Sequence, residues 1–115
     1  MEHSPNKTDK IMNALLEIGI PANLRGFMYL VYAEQLILEN QAYMIGITKA
    51  LYIDIAKAFG TSPCGVERCI RTAIEHGWQV TPAEVKMKFF GNSIRKEYPT
   101  NAHFIIMLHY YIDLQ

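Results

Sequence analysis

The sequence has no apolar run long enough to cross a bilayer. Its two most apolar stretches, Gly26–Ala33 and Phe104–Ile112, fall far short of the roughly 20 residues a spanning helix needs. The opening MEHSPNKTDK is polar and lacks the apolar segment of a signal peptide. Cysteine is scarce: Cys64 and Cys69 are the two present. Five apart in one predicted helix, they lie on different faces, which excludes a disulfide and a shared metal site. Free thiols in a reducing cytoplasm are expected. Net charge is also lacking, because 11 Lys and Arg balance 11 Asp and Glu. That argues against a uniformly basic protein, although a local field depends on where charges sit rather than on their sum. The four histidines are scattered, and His103 and His109, six apart, face different sides of a helix. No Ser-His-Asp order, glycine-rich phosphate loop or convergent carboxylate pair is visible, so neither an enzyme nor a bound cofactor is expected.

What is present is apolar material in helical rhythm. Half of the 115 residues are hydrophobic and 19% are charged, which suits one folded domain over residues 1–115. Six helices are predicted and no strand. The first covers about 8–18, with Ile11, Ala14, Leu15 and Ile18 on one face and Gly19 as its stop. Pro21 opens a second helix reaching about Asn40, with Leu24, Phe27, Met28, Val31, Gln35 and Leu38 on its inner side. Gly26 weakens that helix by up to ~1 kcal/mol relative to Ala, which a close helix crossing would explain. The third helix covers about 48–59 and the fourth about 63–76, ended by Gly77. Thr81-Pro82-Ala83-Glu84 has the pattern of a capping box and opens a fifth helix to about Phe90. Thr100 or Asn101 caps a sixth. The expected fold is an all-α, compact six-helix domain.

The segment from Leu51 to Glu75 is the most informative. Two helices packed across a very short turn need a small residue at the crossing, a glycine to open the turn and an aliphatic anchor in the second helix. Ala56, Gly60 and Val66 supply these at the spacing of a helix-turn-helix, with Ile55 and Phe59 as neighbouring core residues. In the second helix Val66, Cys69, Ile70, Ala73 and Ile74 recur at three and four residues and are expected to be buried. Cys64, Gly65, Glu67, Arg68, Arg71, Thr72 and Glu75 are left facing outward. A helix of this kind presents its first half to the major groove. Arg68 suits a bidentate contact to guanine, Glu67 accepts from cytosine, and Arg71 suits a phosphate or a second guanine. Between residues 65 and 96 there are six basic residues, Arg68, Arg71, Lys86, Lys88, Arg95 and Lys96, against three acidic ones, a net of +3 in a neutral chain. This predicts a positive face on the motif side for the DNA backbone.

These blocks also carry a resemblance. LLEIGIPANLRGFMYL (15–30), ITKALYIDIAKAF (47–59), VERCIRTAIEHGW (66–78) and PTNAHFI (99–105) occur in the order and spacing found in one family. The chain resembles the C-terminal effector domain of the master sporulation response regulators of endospore-forming bacteria (the stage-zero sporulation protein A family). The resemblance implies a six-helix domain that binds a short element of double-stranded DNA as tandem or paired copies. It also implies contact with an RNA polymerase sigma factor. Carried over to this sequence, the base contacts fall on Glu67 and Arg68, with Arg71 on the backbone. Two positions depart from the family: Gly65 stands where it usually has a base-reading arginine, and Thr72 where it usually has a histidine. No segment matches the family's phosphoacceptor receiver domain.

Two alternatives stay open at this level. The last helix, FIIMLHYYIDL, is more apolar than one face requires, with Phe104, Ile105, Met107, Leu108, Tyr111 and Ile112 all competing for the core. It is either deeply buried or a surface for a homodimer. The neutral charge and Gly65 also leave room for a protein-interaction module that sequesters a regulator or sigma factor and no longer reads DNA.

Overall fold

A computed structural model describes residues 7–91 and 98–114, among which the chain is all α with no strand. The helices are α1 (Lys7–Ile18), α2 (Arg25–Glu39), α3 (Ile47–Phe59), α4 (Pro63–Val80), α5 (Ala83–Phe90) and α6 (Asn101–Asp113). A 3-10 turn, Gln41–Met44, precedes α3 where the sequence suggested plain loop; Asn40 opens it by accepting a hydrogen bond from the Ala42 N–H. Helix α1 stops at Gly19 as expected, with the N–H groups of Gly19 and Ile20 closing onto the carbonyls of Leu16 and Leu15.

Helices α2 and α4 cross at the middle of the molecule. A Cβ on Gly26 would lie 2.2 Å from the Cys69 carbonyl oxygen and 2.7 Å from the Ala73 methyl. The close crossing inferred from the sequence is therefore present, and it is a contact of backbone on backbone. Around it the core gathers Ile11 and Leu15 from α1, Phe27 and Leu30 from α2, Leu51 and Ile55 from α3, and Ile70 and Ile74 from α4, all essentially inaccessible. Helix α6 packs against each of the other five α-helices. Phe104, Ile105, Leu108 and Ile112 are buried, and Met107 and Tyr111 are half-buried. Its excess of apolar residues is thus explained largely by enclosure in the core.

Several boundaries differ from the sequence reading for physical reasons. Helix α2 starts at Arg25 rather than Pro21, because residues 21–24 form a turn closed by the Leu24 N–H on the Pro21 carbonyl. Its inner stripe is also rotated: Met28 is exposed, whereas Tyr29, Leu30, Ala33, Glu34 and Ile37 are buried. Gln35 lies at the edge of this stripe and donates to the Thr8 hydroxyl at 2.8 Å, tying α2 to α1. Helix α4 runs through Gly77 to Val80. Gly77 serves close approach rather than termination, since a Cβ there would meet the Ile20 side chain at 2.6 Å. Thr81 does not cap α5. Its buried hydroxyl lies 2.6 Å from the carbonyl oxygens of both Ile18 and Gly77, joining the ends of α1 and α4. Phe59 is part-exposed rather than core, packed edge-on against the rings of Tyr29 and Tyr32.

Helices α2 and α6 also enclose an ionisable pair that no pattern along the chain announces. Glu34 on α2 and His109 on α6 are both enclosed, with Glu34 Oε1 3.5 Å from His109 Nδ1, an ion-pair distance at which neither atom makes a hydrogen bond. Burial pushes the Glu34 carboxyl up to about 7, against a smaller downward pull from the neighbouring His109.

Candidate nucleic-acid interface

Three residues, Gly60, Thr61 and Ser62, connect α3 to α4. Gly60 adopts φ +68°, ψ +40°, a left-handed conformation that only glycine takes at little cost. The Thr61 N–H returns to the Ala56 carbonyl at 3.0 Å and closes the end of α3. Ser62 then caps α4 by accepting from the Gly65 N–H at 3.0 Å, and Pro63 takes the first helical position, where no N–H is missed. Ala56 and Val66 are buried as the turn geometry demands. The chain thus bends sharply and starts a new helix within one short turn.

Burial sorts the faces of α4. Val66, Ile70, Ala73 and Ile74 are buried and Cys69 is half-buried. Arg68 and Arg71 are exposed, while Glu67, Thr72 and Glu75 are intermediate. Gly65 is a correction: it is buried rather than outward, beneath the hydroxyls of Thr61 and Ser62. It contributes backbone to the capped turn and, as glycine, has no side chain to offer a groove. The Arg71 guanidinium contacts the Glu67 carboxylate one turn earlier, and that hydrogen bond and charge push the Arg71 pKa further up. Both side chains are more than a third exposed, so the pair contributes little to stability. Arg68 has no hydrogen-bond or ion-pair partner among the described residues.

Lys86 and Lys88 do not gather around Arg68. Lys86 sits with its Nζ 4.7 Å from the Trp78 ring centroid, a cation–π contact about 15 Å along the α4 axis from Arg68. Lys88 donates to Glu17 of α1 at 2.8 Å and lies beside the Phe89 and Tyr111 rings, on the α1 and α6 side. Lys86 and Lys88 are therefore set apart from Arg68 and Arg71 within the positive face expected from the local charge count. Arg95 and Lys96 lie outside the described residues.

A groove of about 520 Å³ opens beside the first turns of α4, lined by Tyr52, Glu67, Arg71 and residues 98–102. Asn101 at its floor is buried and bonded to both helices of the motif, a feature the sequence reading reduced to a possible helix cap. Burial, and to a lesser extent the Glu67 charge, raise the Tyr52 phenol above its ordinary value, with Asn101 and Arg71 opposing. Among the described residues no cluster of three His, Cys, Asp or Glu could hold a metal ion. Cys64 is exposed and Cys69 half-buried, both as free thiols. No described helix is long and apolar enough to cross a membrane.

A short glycine turn, a capped second helix with one face in the core, and arginines on its open face define a helix-turn-helix DNA-binding domain. The family model described as "Sporulation initiation factor Spo0A C terminal" matches residues 11–112. The chain belongs to that family, the DNA-binding effector domains of sporulation transcription regulators.

Proposed function

We propose that this domain reads a specific duplex sequence by placing the first half of α4 in the major groove. Arg68 makes a bidentate contact to guanine, Glu67 accepts from cytosine, and Arg71 meets the backbone. The observation that carries this reading is Arg68: exposed on α4, directly opposite a buried face, and without a partner among the described residues. Among the described residues its donors have no other group to leave in order to meet a base. Glu67 and Arg71 hold one another in the free protein, and exposed pairs of this kind exchange partners at small cost. Lys86 and Lys88 lie away from α4's first half and belong to a different part of the surface.

Selection from a random duplex library tests the reading, followed by titration of the selected duplex with the Arg68→Ala protein. Loss of one bidentate contact weakens binding by ~1–3 kcal/mol. Melting should stay within ~0.5 kcal/mol of the parent, because the side chain is exposed. Affinity of the parent should also fall steeply with salt. An Arg68→Ala protein that binds the selected duplex as tightly as the parent refutes the assignment. One observation favours a second reading, a sequestering protein-interaction module: Glu67 and Arg71 are already satisfied by each other. That reading requires no duplex to be recovered even at low salt.

A further inference from the structure

The block at residues 99–105 opens α6, and nothing assigned to α4 accounts for it. Thr100 supplies the cap: its hydroxyl accepts from the His103 N–H at 3.1 Å and its carbonyl from the Phe104 N–H at 2.9 Å. Asn101 is the first helical residue and has no capping duty, yet it is 9% exposed. Its carboxamide nitrogen donates to the Tyr52 hydroxyl at 3.0 Å and to the main-chain carbonyl of Glu67 at 3.0 Å. A side-chain amide has two N–H donors, and both are used. One accepting residue lies on α3 and the other on α4. A single side chain from a third helix therefore joins both halves of the helix-turn-helix.

We propose that Asn101 is a positioning residue for DNA reading: its two hydrogen bonds fix the first turns of α4 relative to α3, and so set where Glu67 and Arg68 meet base edges. The inference rests on the reading of α4 as the recognition helix. The bond to α4 lands on the backbone of Glu67, one residue before Arg68, so a shift there carries both side chains with it. Base contacts require placement within about 0.5 Å and 10–20°. Attraction to phosphates falls off slowly with distance and tolerates such shifts. Burial of the amide is favourable only while both bonds are made, since an unpaired buried donor is costly. The tie is thus selective for one geometry. It predicts a signature that plain stabilisation of the fold does not share, namely loss of discrimination with general duplex affinity kept.

The test uses the full chain, the duplex selected by the unaltered protein, and a scrambled duplex of the same length and composition. Binding is measured at one salt concentration and well below the melting temperature of each variant. Asn101→Ala should weaken binding to the selected duplex about tenfold, comparable to losing a good bidentate contact. Binding to the scrambled duplex should change less than about twofold, because it rests on backbone charge. Tyr52→Phe removes one of the two acceptors and should lower the selected-to-scrambled ratio by about threefold. If Asn101→Ala does not fold, Tyr52→Phe decides alone: a lowered ratio supports the proposal and an unchanged ratio overturns it. Equal loss on both duplexes, or loss on neither, also overturns it and leaves the α4 reading standing. If the unaltered protein selects no duplex, the α4 reading and this inference fall together.

Discussion

Gly26 and Gly65 are both buried against or within α4, and they stand for opposite kinds of packing. A Cβ on Gly26 would press on main-chain carbonyl and methyl at 2.2 and 2.7 Å, where nothing can rotate away. A Cβ on Gly65 would meet only the Thr61 and Ser62 hydroxyl oxygens, at 3.1 and 3.2 Å. The middle of α4 is therefore clamped backbone to backbone, while its first turn is held by side chains near the surface. The clamped middle fixes the fold, and the first turn is where a substitution is expected to cost that fold little.

Gly26→Ala should have the largest effect, upwards of ~3 kcal/mol, because overpacking against backbone has no local relief. Thermal unfolding should fall by ~10 °C or more. A change below ~1 kcal/mol would remove one side of the comparison. Glu34, about two turns along α2 from Gly26, probes the same enclosed region through pH. Its folded-state pKa, about 7, is raised above the ordinary 4.5, so the folded state holds the proton more tightly than the unfolded state. Stability is complete below about 4.5 and is lost as pH rises through about 7, at up to ~1.4 kcal/mol per pH unit. Glu34→Gln should flatten this fall and be the more stable protein above pH 7 by roughly 2 kcal/mol, with the gap closing towards pH 4.5. Parallel curves for the two proteins in urea titrations at stepped pH would show that Glu34 is not the source.

The first turn of α4 should behave differently. Gly65→Arg installs the residue that the family resemblance implies for base reading, and should strengthen binding to a guanine-containing selected duplex by ~1–2 kcal/mol. The hydroxyls of Thr61 and Ser62 need give only a few tenths of an ångström. Gly65→Ala should have the smallest effect, within ~1 kcal/mol in stability: better helix propensity offsets mild crowding. Destabilisation by Gly65→Ala as large as that by Gly26→Ala would erase the distinction between the two sites.

The parts of the fold that repeat with helical period were legible in the sequence. The Ala56, Gly60, Val66 spacing located the turn, and Gly26 announced a crossing that the structure contains. What escaped were residues whose role depends on a distant partner. Gly77 has the look of a helix stop, but Ile20 lies where its side chain would be, so α4 continues for three more residues. Thr81 has the local pattern of a cap, yet its hydroxyl serves two carbonyls on other turns, one of them 63 positions away. Glu34 and Asn101 are polar and were assigned no interior role; each is enclosed because α6 supplies or receives its partner. At the interface, Arg68 and Arg71 could be placed on the open face by counting residues around α4. Counting could not show that Lys88 is held by Glu17 of α1, nor that Lys86 lies over Trp78.

Helix α6 touches every other α-helix, and it is the last of them to be synthesised. Without α6 the core would lack Phe104, Leu108 and Ile112, and Tyr52 and Glu67 would lack their shared donor. The domain is therefore expected to fold as a unit, with stable packing reached only once α6 has joined the other helices. Released chains truncated before residue 101 should be digested readily by protease, and the full chain should resist.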